Sequence, residues 1–452
     1  MHCCIAADTD CIAAGTDEMP MFHMGWFLGA GFGVQGWGNK WSGAIATEWM
    51  KPNFYIEMAR ALERACFDYL MIEDSSMIND TYQGSMKVTL ARAAGAPKSD
   101  PVPLVPLIAA GTTRIGVIAT VTTTFYPPFL AARLGTTLDH LTDGRVGLNL
   151  VTASGHRAAQ NYGLDRHIEH DLRYRMADEW MQVVSALWES WEPGAVIADT
   201  ETGVYADYSK VHPINFEGEF YKCRGPMNTI PGPQRRPVIC QAGGSPAGRN
   251  FASKHADTII ASSNGIEAMA AFKADIDSRV AGHGRSPKDC KTLFLVSPIL
   301  GQTDAEAQAR YDAVLAAEKI DLTGKLERFS YALGVDLSKF DLDETLPDDI
   351  ATLVNGHQSS VRELTRHGGT LREMLRFQST ESTPLVGSPD TVAAKMGEIM
   401  QQVGGDGFLI GSRATRNSIS EVADGLAPAL KRRRLIRDGY PYALFRDNLL
   451  AF

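Results

Sequence analysis

IGVIATVTTTFYPPFLAARLGTTLDHLTDGRVGLNLVTAS, residues 115–154, reads as strand, loop, helix and strand in close succession. Ile115–Val121 and Val146–Val151 are short apolar runs of the kind that form fully buried parallel strands. The segment between them has the length of one helical crossover. The first run gives way to Thr122, Thr123 and Thr124, then Tyr126-Pro127-Pro128. The second carries Asn149 and gives way to Thr152 and Ser154. In parallel α/β proteins, ligands sit at the carboxyl ends of the strands. Polar side chains crowded there point to a ligand site written across two consecutive strands, Thr120 included.

The same alternation continues on both sides. Strands are expected at His23–Leu28, Tyr69–Ile72, Val238–Cys240, Thr258–Ala261, Leu293–Leu300 and Phe408–Ile410. Helices are expected at Phe54–Arg64, Pro103–Ala110, Leu172–Ser190, Pro246–His255, Ile266–Val280, Asp304–Glu318 and Ser418–Lys431. About eight βα units without a dinucleotide fingerprint predict a (β/α)8 TIM barrel, an α/β fold, rather than a doubly wound sheet. Residues 21–440 are read as this single barrel. Insertions are expected at about 191–236, rich in Pro, Gly and aromatics, and at 321–384, with helical patches suited to a lid. Residues 1–20 read as a disordered lead-in and 441–452 as a C-terminal tail.

Composition narrows the function. The chain has 452 residues, 44% hydrophobic and 21% charged, with a net charge of −9. That balance is ordinary for a globular protein and gives no support to nucleic-acid or membrane-surface binding, which needs a basic face. The seven cysteines are scattered and include no CxxC pair, so reduced thiols and a cytoplasmic location are expected, and no metal site. No signal peptide or transmembrane run is apparent.

Three further segments carry candidate chemistry. Gly29–Gly36 contains a formal GxGxxG, but Trp37-Gly38-Asn39-Lys40-Trp41 follows it where a dinucleotide-binding helix should begin. A loop edged by aromatics over a pocket is the better reading, with Trp37 and Trp41 as candidate substrate contacts. His156, just after the fourth strand, is a third. Glu73-Asp74 closes the second strand and could meet a ligand or cap the next segment. His167 and His170 are read as polar residues at the start of the next helix. Gln241-Ala242-Gly243-Gly244-Ser245-Pro246 ends a strand in two glycines, then offers Ser as an N-cap and Pro at the first helical position. Free amides and the dipole at such a helix start suit a phosphate.

Together these segments resemble the bacterial luciferase-like flavin monooxygenases, in the branch of the nitrilotriacetate, EDTA and dibenzothiophene-sulfone monooxygenases. The resemblance is carried by ARALERACFDYLMIEDS, TTTFYPPFLAARLGTTLDHLTDGRVGLNLVTAS, AQNYG, HIEHDLRYRMADEW, KVHPINFEGEFYKCRGP, QAGGSPAGRNFA and GDGFLI, in order from Met21 to Tyr440. It implies a reduced-FMN (FMNH2) cofactor, O2 as co-substrate and a separate NAD(P)H:flavin reductase. It implies a homodimer or homotetramer. It also implies transfer of one oxygen atom to a small organic substrate through a C4a-(hydro)peroxyflavin. By motif, Asp74, Thr120, Asn149, Thr152 and Ser154 should line the isoalloxazine ring. Tyr174, Gly243, Gly244 and Ser245 should hold the phosphate. Relatives often carry a histidine in the loop after the first strand, as in HxGAWR. Here the loop reads VQGWGNKW, so no acid–base residue transfers and the catalytic group is left unassigned. The aromatic loop leans toward a heteroaromatic or organosulfur substrate. The alternatives are C–N cleavage of an aminopolycarboxylate or other amine, a deazaflavin-dependent hydride transfer, and flavin binding without turnover.

Overall fold

The computed structural model describes residues 20–452 except 30–36, 38–44, 154, 263–264, 348–349, 351–360, 362–363, 366–367 and 378–383. Its centre is a closed barrel of eight parallel strands. These are β1 (His23–Leu28), β2 (Tyr69–Ile72), β3 (Gly116–Thr122), β4 (Val146–Val151), β5 (Val238–Gln241), β6 (Thr258–Ala261), β7 (Lys291–Val296) and β8 (Gly407–Ile410). Each pairs with its neighbours in sequence and β8 closes onto β1, with His23 opposite Gly407 and Trp26 opposite Ile410. The main helices are α1 (Pro52–Arg64), α2 (Leu104–Ala110), α3 (Pro128–Leu141), α4 (His170–Trp188), α5 (Pro246–His255), α6 (Ile266–Gly282), α7 (Asp304–Ile320), α8 (Thr323–Leu333), α9 (Pro389–Val403) and α10 (Phe445–Leu449).

The expected (β/α)8 barrel is therefore the observed fold, and two details differ. The run Leu293–Leu300 is not one strand. It breaks after Val296, and Ile299–Leu300 pairs instead with Val386–Gly387. Pro298, which lacks a backbone N–H, cannot continue a barrel ladder at that point. Residues 441–452 are also part of the barrel rather than an appendage. Phe445 of α10 is 1% exposed and joins Tyr69, Ile118, Val238, Leu293 and Leu409 in the apolar cluster inside the strands. Gly116 makes room for it, since a Cβ there would lie 2.6 Å from the Phe445 ring. The floor of the barrel is thus sealed by a residue far away in sequence.

The segment 191–236 folds into two small antiparallel hairpins, Val196–Asp199 with Val204–Ala206 and Phe216–Glu217 with Lys222–Cys223. Glu179 of α4 anchors the second, accepting the Glu219, Phe220 and Tyr221 amides at 2.8–2.9 Å. Beyond α7, α8 and its neighbours bury an apolar cluster of their own around Leu326, Phe329 and Leu333, joined by Tyr82 from the loop after β2. Among the described residues, no helix is long and apolar enough to cross a membrane.

Candidate active site

At the carboxyl ends of β2–β5 lies a cavity of about 290 Å³, near the lower end of the usual range for small-molecule sites. Asp74, Thr120, Asn149, Thr152, Tyr174, Gly243, Gly244 and Ser245 all line it, although they come from four different strands or the elements after them. Ser154 and Trp41 lie outside the described residues, as does most of the glycine-rich loop. Trp37 is half exposed and does not line the cavity. His156 does not line it either. It is exposed on the adjoining charged groove, where its Nδ1 accepts the His167 amide at 3.3 Å.

The barrel register explains one wall. Thr120 and Asn149 are paired neighbours on β3 and β4. The Thr120 hydroxyl donates to the Ile72 carbonyl at 2.8 Å and must therefore accept from Asn149 Nδ2, 3.0 Å away. That choice leaves Asn149 Oδ1, on a side chain 2% exposed, as an acceptor with no partner among the described residues. A buried acceptor left open costs about 1–3 kcal/mol, so it points to a ligand N–H. The hydroxyls just beyond β3 behave differently. Thr123 and Thr124 donate to the Val151 and Thr152 carbonyls at 3.3 and 2.9 Å, stitching the two strand ends together. They are structural, whereas Thr122 lines the cavity.

The lining next to β4 is the start of α5, reached from the paired strand β5. Ser245 is its N-cap, with Oγ accepting the Gly248 amide at 3.1 Å, and Pro246 follows in the first turn. Gly243 is held to glycine by crowding, because a Cβ would come within 2.7 Å of Gly248 Cα. The Tyr174 hydroxyl hydrogen-bonds among Thr152, Ser245 and Gln241, and burial raises its pKa above the ordinary phenol value.

Two residues that line the cavity were not assigned to it from the sequence, and Arg173 matters most. It is 2% exposed, one Nη donates to the Ile168 carbonyl, and Nε has no hydrogen-bond partner. Among the described residues no carboxylate forms an ion pair with it. Burial pulls its pKa below the usual arginine value. A buried cation without a counter-ion is costly, and an anion in the cavity would relieve it. The sequence did hold a signal. Arg173, Ala177, Trp180, Val184 and Leu187 form one helical stripe that is otherwise apolar and buried. The second is His170, read as a polar residue at the helix start, which lines the same end with its ring 5.2 Å from that of Tyr174.

Asp74 is the titrating group of the cavity. Burial raises its carboxyl to about 6, Lys98 opposes the rise, and Glu73 and Asp100 add to it. The ordinary value is 3.8, so the fold disfavours the ionised form relative to the open chain. The resulting loss of stability is absent below pH 4, grows as pH rises to 6 and is complete above it. Asp74→Asn, which does not ionise, should therefore stabilise the flavin-free protein by about 1–3 kcal/mol at pH 8 and leave it unchanged at pH 4. Denaturant unfolding at the two pH values checks this, and an equal shift at both would contradict the assignment.

The family model for luciferase-like monooxygenases matches residues 23–407. Dimethyl-sulfide monooxygenase of Hyphomicrobium sulfonivorans is 36% identical over 406 residues, 88% of this chain and 83% of that one. Dibenzothiophene-sulfone monooxygenase of Rhodococcus erythropolis (strain XP) is 32% identical over 441 residues, 96% of this chain and 97% of that one. The crystal structure of a long-chain alkane monooxygenase superposes with a TM-score of 0.84 at 31% identity, covering 95% of both chains.

Proposed function

The chain belongs to the luciferase-like monooxygenase family, and from that membership we propose that it is the oxygenase component of a two-component, reduced-FMN-dependent monooxygenase acting on a small organosulfur or heteroaromatic compound. A separate NAD(P)H:flavin reductase supplies the reduced FMN. The observation that carries the reading is the polarity of the cavity. Among the described residues, Asn149 Oδ1 is an open buried acceptor, and Arg173, which lines the same cavity, is a buried cation without an ion-pair partner. A flavin mononucleotide has a ring N–H for the first and a phosphate for the second. The residues present therefore fit the group.

In this reading, bound reduced FMN supplies the electrons that activate O2. The chain's own residues bind, orient and dry the site. Asn149 Oδ1 accepts from the ring edge, held in that orientation by Thr120 and the Ile72 carbonyl. Asp74 stands on the same wall and holds or releases a proton near neutral pH. Arg173, Tyr174, Gly243, Gly244 and Ser245 seat the phosphate. Phe27, Met71, Phe125 and Met77 offer apolar surface that excludes water, and Tyr331 of α8 adds to the lining. Dimethyl-sulfide and dibenzothiophene-sulfone monooxygenases, both named for sulfur compounds, are among the relatives at 32–36% identity. This supports the substrate class.

Anaerobic titration with reduced FMN should show saturable binding at one site per chain. With NADH, a flavin reductase and a panel of sulfides, sulfones and heteroaromatics, at least one member should stimulate oxygen uptake and gain oxygen or be cleaved, as read by mass. Failure to bind reduced FMN, or turnover without oxygen uptake, would sink the proposal.

A further inference from the structure

A second cavity of about 280 Å³ adjoins the first. The two share Glu73, Ser75, Met77 and Tyr331 in their linings. The far wall is made of Ala94 and Gly95, next to Lys98, and of the α8 face that carries Glu327. Gly95 has φ +83°, a conformation that disfavours any larger side chain at this point of the lining.

Two of the charged groups of this second cavity, Lys98 and Glu327, are already engaged. Lys98, with an 8% exposed side chain, donates to Glu73 Oε2 and to Ser75 Oγ, each at 2.8 Å. Glu327 is buried, and its Oε1 accepts Asn79 Nδ2 at 2.6 Å and the Thr89 hydroxyl at 2.9 Å. Arg328 is at the exposed rim, with its guanidinium 4.8 Å from the Phe329 ring. A polycarboxylate that took Lys98 from Glu73 would leave a carboxylate only 24% exposed without its cation, which is unfavourable. A neutral molecule meets no such barrier and finds Met77, Ala94 and Tyr331 as contact surface.

We propose that this second cavity seats the organic substrate and that the Lys98–Glu73 pair makes it select compact, uncharged molecules over polyanions. The inference rests on the flavin reading of the first cavity for its catalytic meaning, but binding tests it separately. Methyl phenyl sulfide serves as the neutral probe and nitrilotriacetate as the anionic one, both followed by calorimetry on the intact protein without flavin. The wild type should bind methyl phenyl sulfide with a millimolar or tighter Kd and nitrilotriacetate at least tenfold more weakly. Ala94→Phe, which fills the cavity, should weaken methyl phenyl sulfide at least tenfold while leaving reduced-FMN affinity within twofold. Glu73→Gln, which releases Lys98, should improve nitrilotriacetate binding at least tenfold. Stronger binding of nitrilotriacetate than of the sulfide by the wild type would overturn the proposal. So would an Ala94→Phe protein that binds reduced FMN normally and the sulfide undiminished, or a Glu73→Gln protein with no gain for the anion. Loss of reduced-FMN binding by the wild type, with these probe results intact, would instead remove the flavin reading alone.

Discussion

Ser245→Asp should weaken reduced FMN at least 100-fold while leaving the fold as stable as before. Ser245 caps α5 through its Oγ and the Gly248 amide, 3.1 Å apart. Aspartate is an equally good N-cap and favours the positive end of the helix dipole, so the helix start keeps its hydrogen bond. The same carboxylate would face a phosphate dianion in a partly desolvated site. Two unit charges about 4 Å apart at an effective dielectric near 20 repel by about 4 kcal/mol, and about 1.4 kcal/mol is a factor of ten. Ser245→Asn is the matched control, a neutral cap of nearly the same size that should cost no more than about tenfold. Anaerobic reduced-FMN titrations of both variants, with thermal unfolding alongside, separate charge from folding. If Ser245→Asp binds as the wild type does, the phosphate does not lie at this helix start.

Arg173→Met should have opposite effects on stability and on binding. In the flavin-free protein it replaces a buried cation, without an ion-pair partner among the described residues, by an apolar chain of similar length. Replacing buried charge in this way is neutral or stabilising by about 1–4 kcal/mol. Reduced FMN loses its charge-assisted partner, for which about 2–3 kcal/mol is expected, or roughly 30- to 100-fold in affinity. Urea unfolding without flavin and reduced-FMN titration read the two effects independently. A variant that loses stability and keeps flavin affinity would make Arg173 a structural residue of α4. The test is informative because a structural arginine and a phosphate-binding one differ in the sign of the stability change.

Much of this site is legible in the chain itself. Val146–Val151 announces a buried strand, and Asn149 within it is a polar residue where packing alone would want an apolar one. Gly243-Gly244-Ser245-Pro246 announces a helix start with exposed amides. Both signals are local, because they depend on strand burial, turn conformation and capping, which act over a few residues. The Thr122–Thr124 run is legible only as hydroxyls at a strand end. Thr123 and Thr124 are consumed by carbonyls of β4 and the residue after it, which no local pattern reveals.

By itself, then, the sequence determined the order of strands and helices, the barrel they close, the strand ends that line the cavity and the capped helix start beside them. Only the tertiary structure decided which polar groups remain free to act. It leaves Asn149 Oδ1 open because the Thr120 proton goes to Ile72 on a third strand. It buries Arg173 without an ion-pair partner among the described residues, spends Lys98 on Glu73, and brings Phe445 up from the chain's end to seal the barrel floor. The physical reason is common to all four. Desolvation and hydrogen-bond satisfaction are settled between groups far apart along the chain, whereas periodicity and capping are settled between near neighbours.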